Sequence, residues 1–268
     1  MLRILRIIAV VYLGVLLVLL WFENKLLFHP YKDTDSWVPP PPGLAVEDVW
    51  LPLPDGTKVH GWWCPVPGAK GALLYAHGNA GNLSHRGQAV QKLQEGLGLS
   101  VLIVDYPGFG KSEGKVSEAG CYAAAHAAYD WLAQKVPPEQ IVLYGKSLGG
   151  GVMTELAVQQ PHRALVLVKT FTSVPDMAQK QFPFLPARWL VRNQFNNLAR
   201  IPQCPRPIFI AHGDCDSLIP LDHSRQLLAA ASEPKQFFLM PGCDHNDPAP
   251  VEFYHELAKF LRQSAPTE

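Results

Sequence analysis

Ile141-Val142-Leu143-Tyr144-Gly145-Lys146-Ser147-Leu148-Gly149-Gly150-Gly151 is the stretch whose reading decides the fold. Its first residues are β-branched or apolar and read as a buried strand. After Gly145 the pattern turns helical, with Val152, Leu156 and Val158. A serine with a glycine two residues to either side, at a strand-to-helix junction, is the nucleophile-elbow pattern. So tight a turn would drive side chains at the flanking positions into the chain, and glycine at 145 and 149 removes that collision. The strained backbone lifts the Ser147 hydroxyl out of the sheet, in front of the positive end of the following helix.

Outward from the elbow, short apolar runs alternate with helical segments. Val46–Leu53 and Thr57–Val66 read as an antiparallel hairpin across Pro54-Asp55-Gly56. Strands are expected at Gly71–Ala76, Ser100–Asp105, Ala164–Lys169, Pro207–Ala211 and Lys235–Met240. Helical spacing marks Ser84–Leu97, an alanine-rich run from Ser117 to Gln134, Leu221–Ala231 and Val251–Gln263. Such alternation predicts an α/β domain whose mostly parallel sheet is covered by helices on both faces. Thr170–Pro205 has no clean period and carries Phe182, Phe184, Trp189, Leu190 and Phe195 among prolines; it is expected to form a small cap.

The N-terminus differs from the rest. Arg3 and Arg6 precede sixteen uncharged residues from Ile7 to Phe22. With Ile4 and Leu5 included, that run at ~1.5 Å per residue just spans a ~30 Å bilayer core. A cleaved signal would need a small-x-small site, and Trp21-Phe22-Glu23-Asn24-Lys25 offers none. Residues 1–30 are therefore expected to be a membrane anchor with its juxtamembrane segment, 31–45 a stiff proline-rich linker, and 46–268 the folded domain. Arg3 and Arg6 outweigh Lys25, which puts the N-terminus in the cytoplasm and the domain outside.

The 268 residues carry zero formal net charge and no basic block, so nucleic-acid binding has no electrostatic support. Cys64, Cys121, Cys204, Cys215 and Cys243 lack the C-x-x-C spacing of a zinc site, and a metal is not expected.

Polar clusters follow the strands that end at Ala76, Tyr144, Ala211 and Met240, the end of an open α/β sheet where functional loops gather. A serine hydroxyl needs a base, and the base a partner that fixes its tautomer. Asp216 and His245 stand at later strand ends, in the order Ser…Asp…His. Asp214 competes with Asp216 for the acid role, but it directly follows a glycine turn and suits loop capping. Asp244 and Asp247 suit capping as well. An oxyanion needs two N–H donors; the expected ones are the backbone amides of Leu148 and Asn79. His77 and His212 are expected to brace their strand ends. Lys146 has no assigned role. Cys215 and Cys243 would approach each other if Asp216 meets His245, although two separate thiols are the expected state.

Together, His77-Gly78-Asn79-Ala80-Gly81-Asn82, Asp105-Tyr106-Pro107-Gly108-Phe109-Gly110-Lys111-Ser112, Gly145–Gly150, His212–Asp216 and Gly242–Asp247 resemble the alpha/beta-hydrolase fold. More narrowly, they resemble its membrane-anchored, Bem46-like serine hydrolases. The resemblance covers the chain from about Val46 onward. It implies an eight-stranded sheet, Ser147, Asp216 and His245 as a catalytic triad, and Asn79 and Leu148 as oxyanion donors. Substrate does not carry over from the resemblance. With the N-terminal anchor, the expected function is a membrane-tethered serine hydrolase acting on esters or thioesters of small molecules or lipids, through an acyl-enzyme and without a cofactor. The cap aromatics together with the anchor suggest an apolar acyl group drawn from or near the bilayer. A serine peptidase or amidase would share the triad, and a tethered non-catalytic binding module would share the fold. Dehalogenase or epoxide hydrolase chemistry would need Asp where Ser147 stands. The N-terminus lacks a cysteine cluster, so protein depalmitoylation is not specifically supported.

Overall fold

The structure, a computed structural model, describes residues 1–264. Its strands are β1 (His29–Pro30), β2 (Glu47–Pro52), β3 (Lys58–Cys64), β4 (Ala72–Ala76), β5 (Ala80–Gly81), β6 (Ser100–Val104), β7 (Ile141–Lys146), β8 (Ala164–Val168), β9 (Ile208–Gly213) and β10 (Lys235–Met240). The helices are α1 (Leu2–Trp21), α2 (Glu23–Leu27), α3 (Gly87–Leu97), α4 (Glu118–Ala133), α5 (Leu148–Gln159), α6 (Val174–Gln181), α7 (Ala187–Leu190), α8 (Asn197–Arg200), α9 (Asp222–Ala230) and α10 (Val251–Gln263). Eight strands form one sheet in the order β2-β3-β6-β4-β7-β8-β9-β10. The β2–β3 and β3–β6 pairs are antiparallel and the other neighbours parallel.

Successive side chains along the central strands leave for opposite faces. Leu74, Leu102, Leu143 and Leu165 join the core beneath α4, α5 and α9. Leu73, Val101, Val142 and Val166 join the core beneath α3 and α10. Burial on both faces is why these strands read as unbroken apolar runs. The parallel strands all point one way, so their following loops, including the Ser147 elbow, collect at one edge of the sheet.

Helix α1 contains an 18-residue window of mean hydropathy 2.7, and none of its residues is buried. By length and composition it is sufficient to cross a membrane. Beyond it the chain does not run free. Phe28 is buried and meets Phe195 edge-on at 6.2 Å between ring centroids. Strand β1 pairs in parallel with β5, Trp37 packs edge-on against Trp62 at 5.6 Å, and Leu44 is buried. Apolar residues interleaved with the prolines thus glue the expected spacer onto the domain surface, because each gains more by burial than by standing in water.

The cap leaves at the carboxyl end of β8 and returns at β9, with α6, α7 and α8 inside it. Its aromatics divide. Phe195 is fully buried against Phe28 and Tyr122, whereas Phe184 is 89% exposed and Trp189 88%.

Candidate active site

Ser147 joins β7 to α5 at φ 55° and ψ −121°, a region that L-residues avoid. Three contacts hold it there. Its N–H donates to the Val168 carbonyl at 2.9 Å, and its carbonyl accepts from Thr170 Oγ1 at 2.7 Å and from the Gly150 N–H at 2.9 Å. A Cβ at Gly149 would run into the Ala76 carbonyl oxygen, and one at Gly145 into the Gly149 backbone. The neighbouring strand and the first helical turn therefore press on the elbow from two sides, and only glycine fits.

His245 and Asp216 arrive from separate loops. His245 Nε2 lies 3.2 Å from Ser147 Oγ, and His245 Nδ1 lies 2.8 Å from Asp216 Oδ2. An ionised carboxylate only accepts, so Nδ1 carries the proton and Nε2 is left to accept from the serine hydroxyl. Asp216 Oδ1 takes the N–H groups of Leu218 at 3.0 Å and Ile219 at 2.7 Å. Burial pushes the Asp216 carboxyl up, but the bonds from His245 and the Ile219 amide outweigh it and hold the carboxyl below its ordinary value.

The other acids of these loops serve as ties. Asp244 Oδ1 accepts from the Ser217 N–H and the His245 N–H, each at 2.7 Å, which joins the acid loop to the histidine loop. Those amides draw its carboxyl down to about 2. Asp214 accepts from the Gly242 N–H at 2.6 Å, and Asp247 from the Asp244 N–H at 2.8 Å. His77 is buried between Asp105 (3.1 Å) and the Gly78 carbonyl (2.7 Å), and His212 between Ser224 Oγ and the Ile219 carbonyl, both at 2.7 Å. All five cysteines, Cys215 and Cys243 among them, are free thiols.

Leu148 is the first residue of α5, where backbone N–H groups have no partner within the helix. The loop of Gly78 and Asn79 runs beside the nucleophile: a Cβ on Gly78 would sit 3.5 Å from Ser147 Cβ. Asn79 is anchored by its side chain, which donates to the Leu27 carbonyl at 2.6 Å, and by its own carbonyl, which accepts from the His29 N–H at 2.8 Å. Lys146 is half-buried next to the serine; burial, then the charge of Lys169, push its ammonium down to about 8.

Two buried charged residues, one behind the histidine loop and one under the cap, make contacts that the sequence does not announce. Lys169 follows β8 at φ 48°, is almost fully buried, and its ammonium donates to the carbonyls of Asp244 and of Asp247, the latter at 3.0 Å. A lysine ending an otherwise apolar strand was the available hint. Glu23, just after α1, is 8% exposed; its carboxylate takes the Asn193 N–H at 2.7 Å, Asn193 Nδ2 at 2.6 Å and Arg192 Nε at 3.1 Å. Burial raises this carboxyl, and the bonds from Asn193 and Arg192 together pull it below its ordinary value. Nothing local to Glu23 announces partners 169 and 170 residues away.

An eight-stranded, mostly parallel sheet with a strained serine at the strand–helix elbow, faced by a histidine and a buried aspartate, defines a class. A family model described as the alpha/beta hydrolase fold matches residues 71–191, and the chain belongs to that family. Among its relatives, an uncharacterized protein of Mycobacterium tuberculosis is 39% identical over 203 residues, 74% of this chain and 72% of that protein. Protein bem46 of Schizosaccharomyces pombe is 32% identical over 206 residues, 72% of this chain and 67% of its own length. Among solved structures, an esterase of Pyrococcus furiosus superposes with a TM-score of 0.70 at 20% identity, covering 89% of this chain and 98% of that one.

Proposed function

We propose that the protein is a membrane-tethered serine hydrolase that cleaves carboxylic esters or thioesters through an acyl-enzyme. The observation that carries this reading is the chain of contacts Ser147 Oγ–His245 Nε2–His245 Nδ1–Asp216 Oδ2, at 3.2 and 2.8 Å, on a family fold. Ser147 Oγ attacks the substrate carbonyl carbon while its proton passes to His245 Nε2. Asp216 holds the imidazole in the required tautomer and stabilises the imidazolium without itself taking the proton. The N–H groups of Leu148 and Asn79 receive the oxyanion, worth several kcal/mol in such sites. Collapse breaks the bond to the leaving alcohol or thiol, which departs with the proton from His245. Water then repeats the sequence on the acyl-enzyme, releasing the carboxylic acid and restoring Ser147. No step draws on a cofactor or a metal.

Helix α1 is the proposed tether. Its flanking Arg3 and Arg6 against Lys25 favour a cytoplasmic N-terminus and an extracytoplasmic domain. The test is labelling of the full chain by a fluorophosphonate probe, alongside hydrolysis of p-nitrophenyl esters. Ser147→Ala is expected to abolish labelling and to lower kcat by about a thousandfold or more. A well-folded protein that takes up no probe would refute the assignment and favour a tethered binding module.

A further inference from the structure

Helix α1 and the cap share a face. Tyr12, Leu16, Leu19, Leu20 and Glu23 fall on one helical stripe. At its domain end Glu23 is held by Arg192 and Asn193, while Arg192 Nη2 donates to the Leu20 carbonyl at 2.7 Å and so caps the end of α1. Further back, the Tyr12 hydroxyl donates to the Phe184 carbonyl at 3.1 Å. At ~1.5 Å per residue, the cap therefore follows α1 for roughly 16 Å, about half of a ~30 Å bilayer core. The cap's two most exposed aromatics, Phe184 and Trp189, lie in this segment. If α1 spans a membrane, Phe184, held at the level of Tyr12, stands in lipid rather than in water.

Between α1 and the cap is a cavity of about 410 Å³. Leu16, Leu19 and Leu20 wall it on one side, and Met177, Ala178 and Leu185 on the other. That size lies within the ~300–1,000 Å³ range of small-molecule sites. Glu23, its charged lining residue, is already committed to Arg192 and Asn193. Gln181 is the other polar lining residue. A peptide segment would bring a row of backbone N–H and C=O groups that this one amide cannot satisfy, whereas an alkyl chain brings none. Leu27 and Leu218 also line the cavity. The Leu27 carbonyl accepts from Asn79 Nδ2 at 2.6 Å, and the Leu218 N–H donates to Asp216 Oδ1 at 3.0 Å. The cavity thus touches the Asp216 loop directly through Leu218 and lies one hydrogen bond from the Asn79 loop through Leu27.

We propose that this cavity is the acyl-chain site, walled on one side by the protein's own anchor, and that a long-chain acyl ester or thioester enters it laterally from the bilayer. The inference rests on the serine-hydrolase reading above and adds the class and source of the substrate. A lipid chain is the occupant because the wall supplied by α1 is itself the proposed membrane-spanning element, so lipid is the medium at the cavity's mouth.

The experiment uses the full chain in phosphatidylcholine nanodiscs with a diazirine-bearing palmitate, followed by mapping of the cross-linked residues. Adducts are expected at Leu16–Leu20 and Val174–Leu185, competed by unlabelled palmitate and reduced at least fivefold by Ala178→Trp or Leu19→Trp. A second readout is the ratio of kcat/KM for C16 to that for C4 p-nitrophenyl esters, which either substitution is expected to lower at least tenfold. Adducts spread evenly around α1, or a ratio unchanged in both variants while the fluorophosphonate still labels them fully, would overturn the acyl site. Failure of the fluorophosphonate to label the unsubstituted protein would instead remove the hydrolase reading, and the cross-linking result would then decide the cavity by itself.

Discussion

Ser147 is held in its unfavourable backbone conformation by groups other than its hydroxyl: the Val168 carbonyl, Thr170 Oγ1 and the Gly150 amide. Ser147→Ala should therefore leave the melting temperature within about 2 °C of the parent while removing reactivity, a split that calorimetry and probe labelling would read together. Lys169 acts at one remove, through the carbonyls of the loop that presents His245. Lys169→Met is expected to lower kcat about tenfold or more, since a small misplacement of the base is costly. Lys169→Gly would relieve the left-handed backbone yet lose the same bonds, so kinetics of the two variants should fall alike if the ammonium is what matters. His162 is buried, with Nδ1 2.8 Å from the Gln160 carbonyl, and burial lowers it from an ordinary 6.5 to about 4. Between those pH values the unfolded chain binds a proton that the folded chain refuses. Stability therefore falls as pH drops from 6.5 toward 4, by up to about 3 kcal/mol, and is fully restored above 6.5. Urea unfolding across that range should show the slope, and His162→Asn should reduce it, leaving the part contributed by His60, His85, His212 and His223, which burial lowers in the same direction.

Among the elements, the central strands follow from local pattern, because apolar runs of only five or six residues, rich in Val, Ile and Leu and bounded by turn residues, fit strands buried on both faces. The glycine-flanked serine marks where the elbow helix begins. The cap was legible as a region and not as a structure. Thr170–Pro205 has no period because α6, α7 and α8 run only 8, 4 and 4 residues, too short to repeat a stripe. Which of its aromatics pack inward depended on Phe28 and Tyr122 reaching Phe195 from other elements. The clamp between α1 and the cap is stability stored at a junction. Glu23→Ala would leave the Arg192 and Asn193 donors without their charged acceptor, at a cost of about 2 kcal/mol. For a domain of this size that corresponds to a fall of roughly 5 °C in Tm, measurable in detergent by intrinsic fluorescence.

At the scale of the molecule, if α1 crosses a membrane as proposed, its orientation governs which compartment meets the edge of the sheet that carries Ser147. Cys215 is exposed beside Asp216, while Cys64, Cys121 and Cys204 are buried. With the domain outside, a membrane-impermeant maleimide should label intact cells or spheroplasts through Cys215, and Cys215→Ser should remove most of that signal. Labelling only after permeabilisation would place the domain in the cytoplasm.

The sequence alone determined the class of fold, the strand order along the chain, the apolar N-terminal helix and the residues Ser147, Asp216 and His245 as partners. Each of these rests on local information: a glycine-relieved turn, apolar runs of strand length, and polar loops at strand ends. Only the tertiary structure decided that residues 28–45 lie on the domain, that Lys169 ties the histidine loop, and that Glu23 binds the cap. Those contacts join residues far apart in the chain, and a lone Lys or Glu carries no periodicity to betray a distant partner. The cavity between α1 and the cap belongs to the same category, because a space is defined by how two elements meet and by neither of them singly.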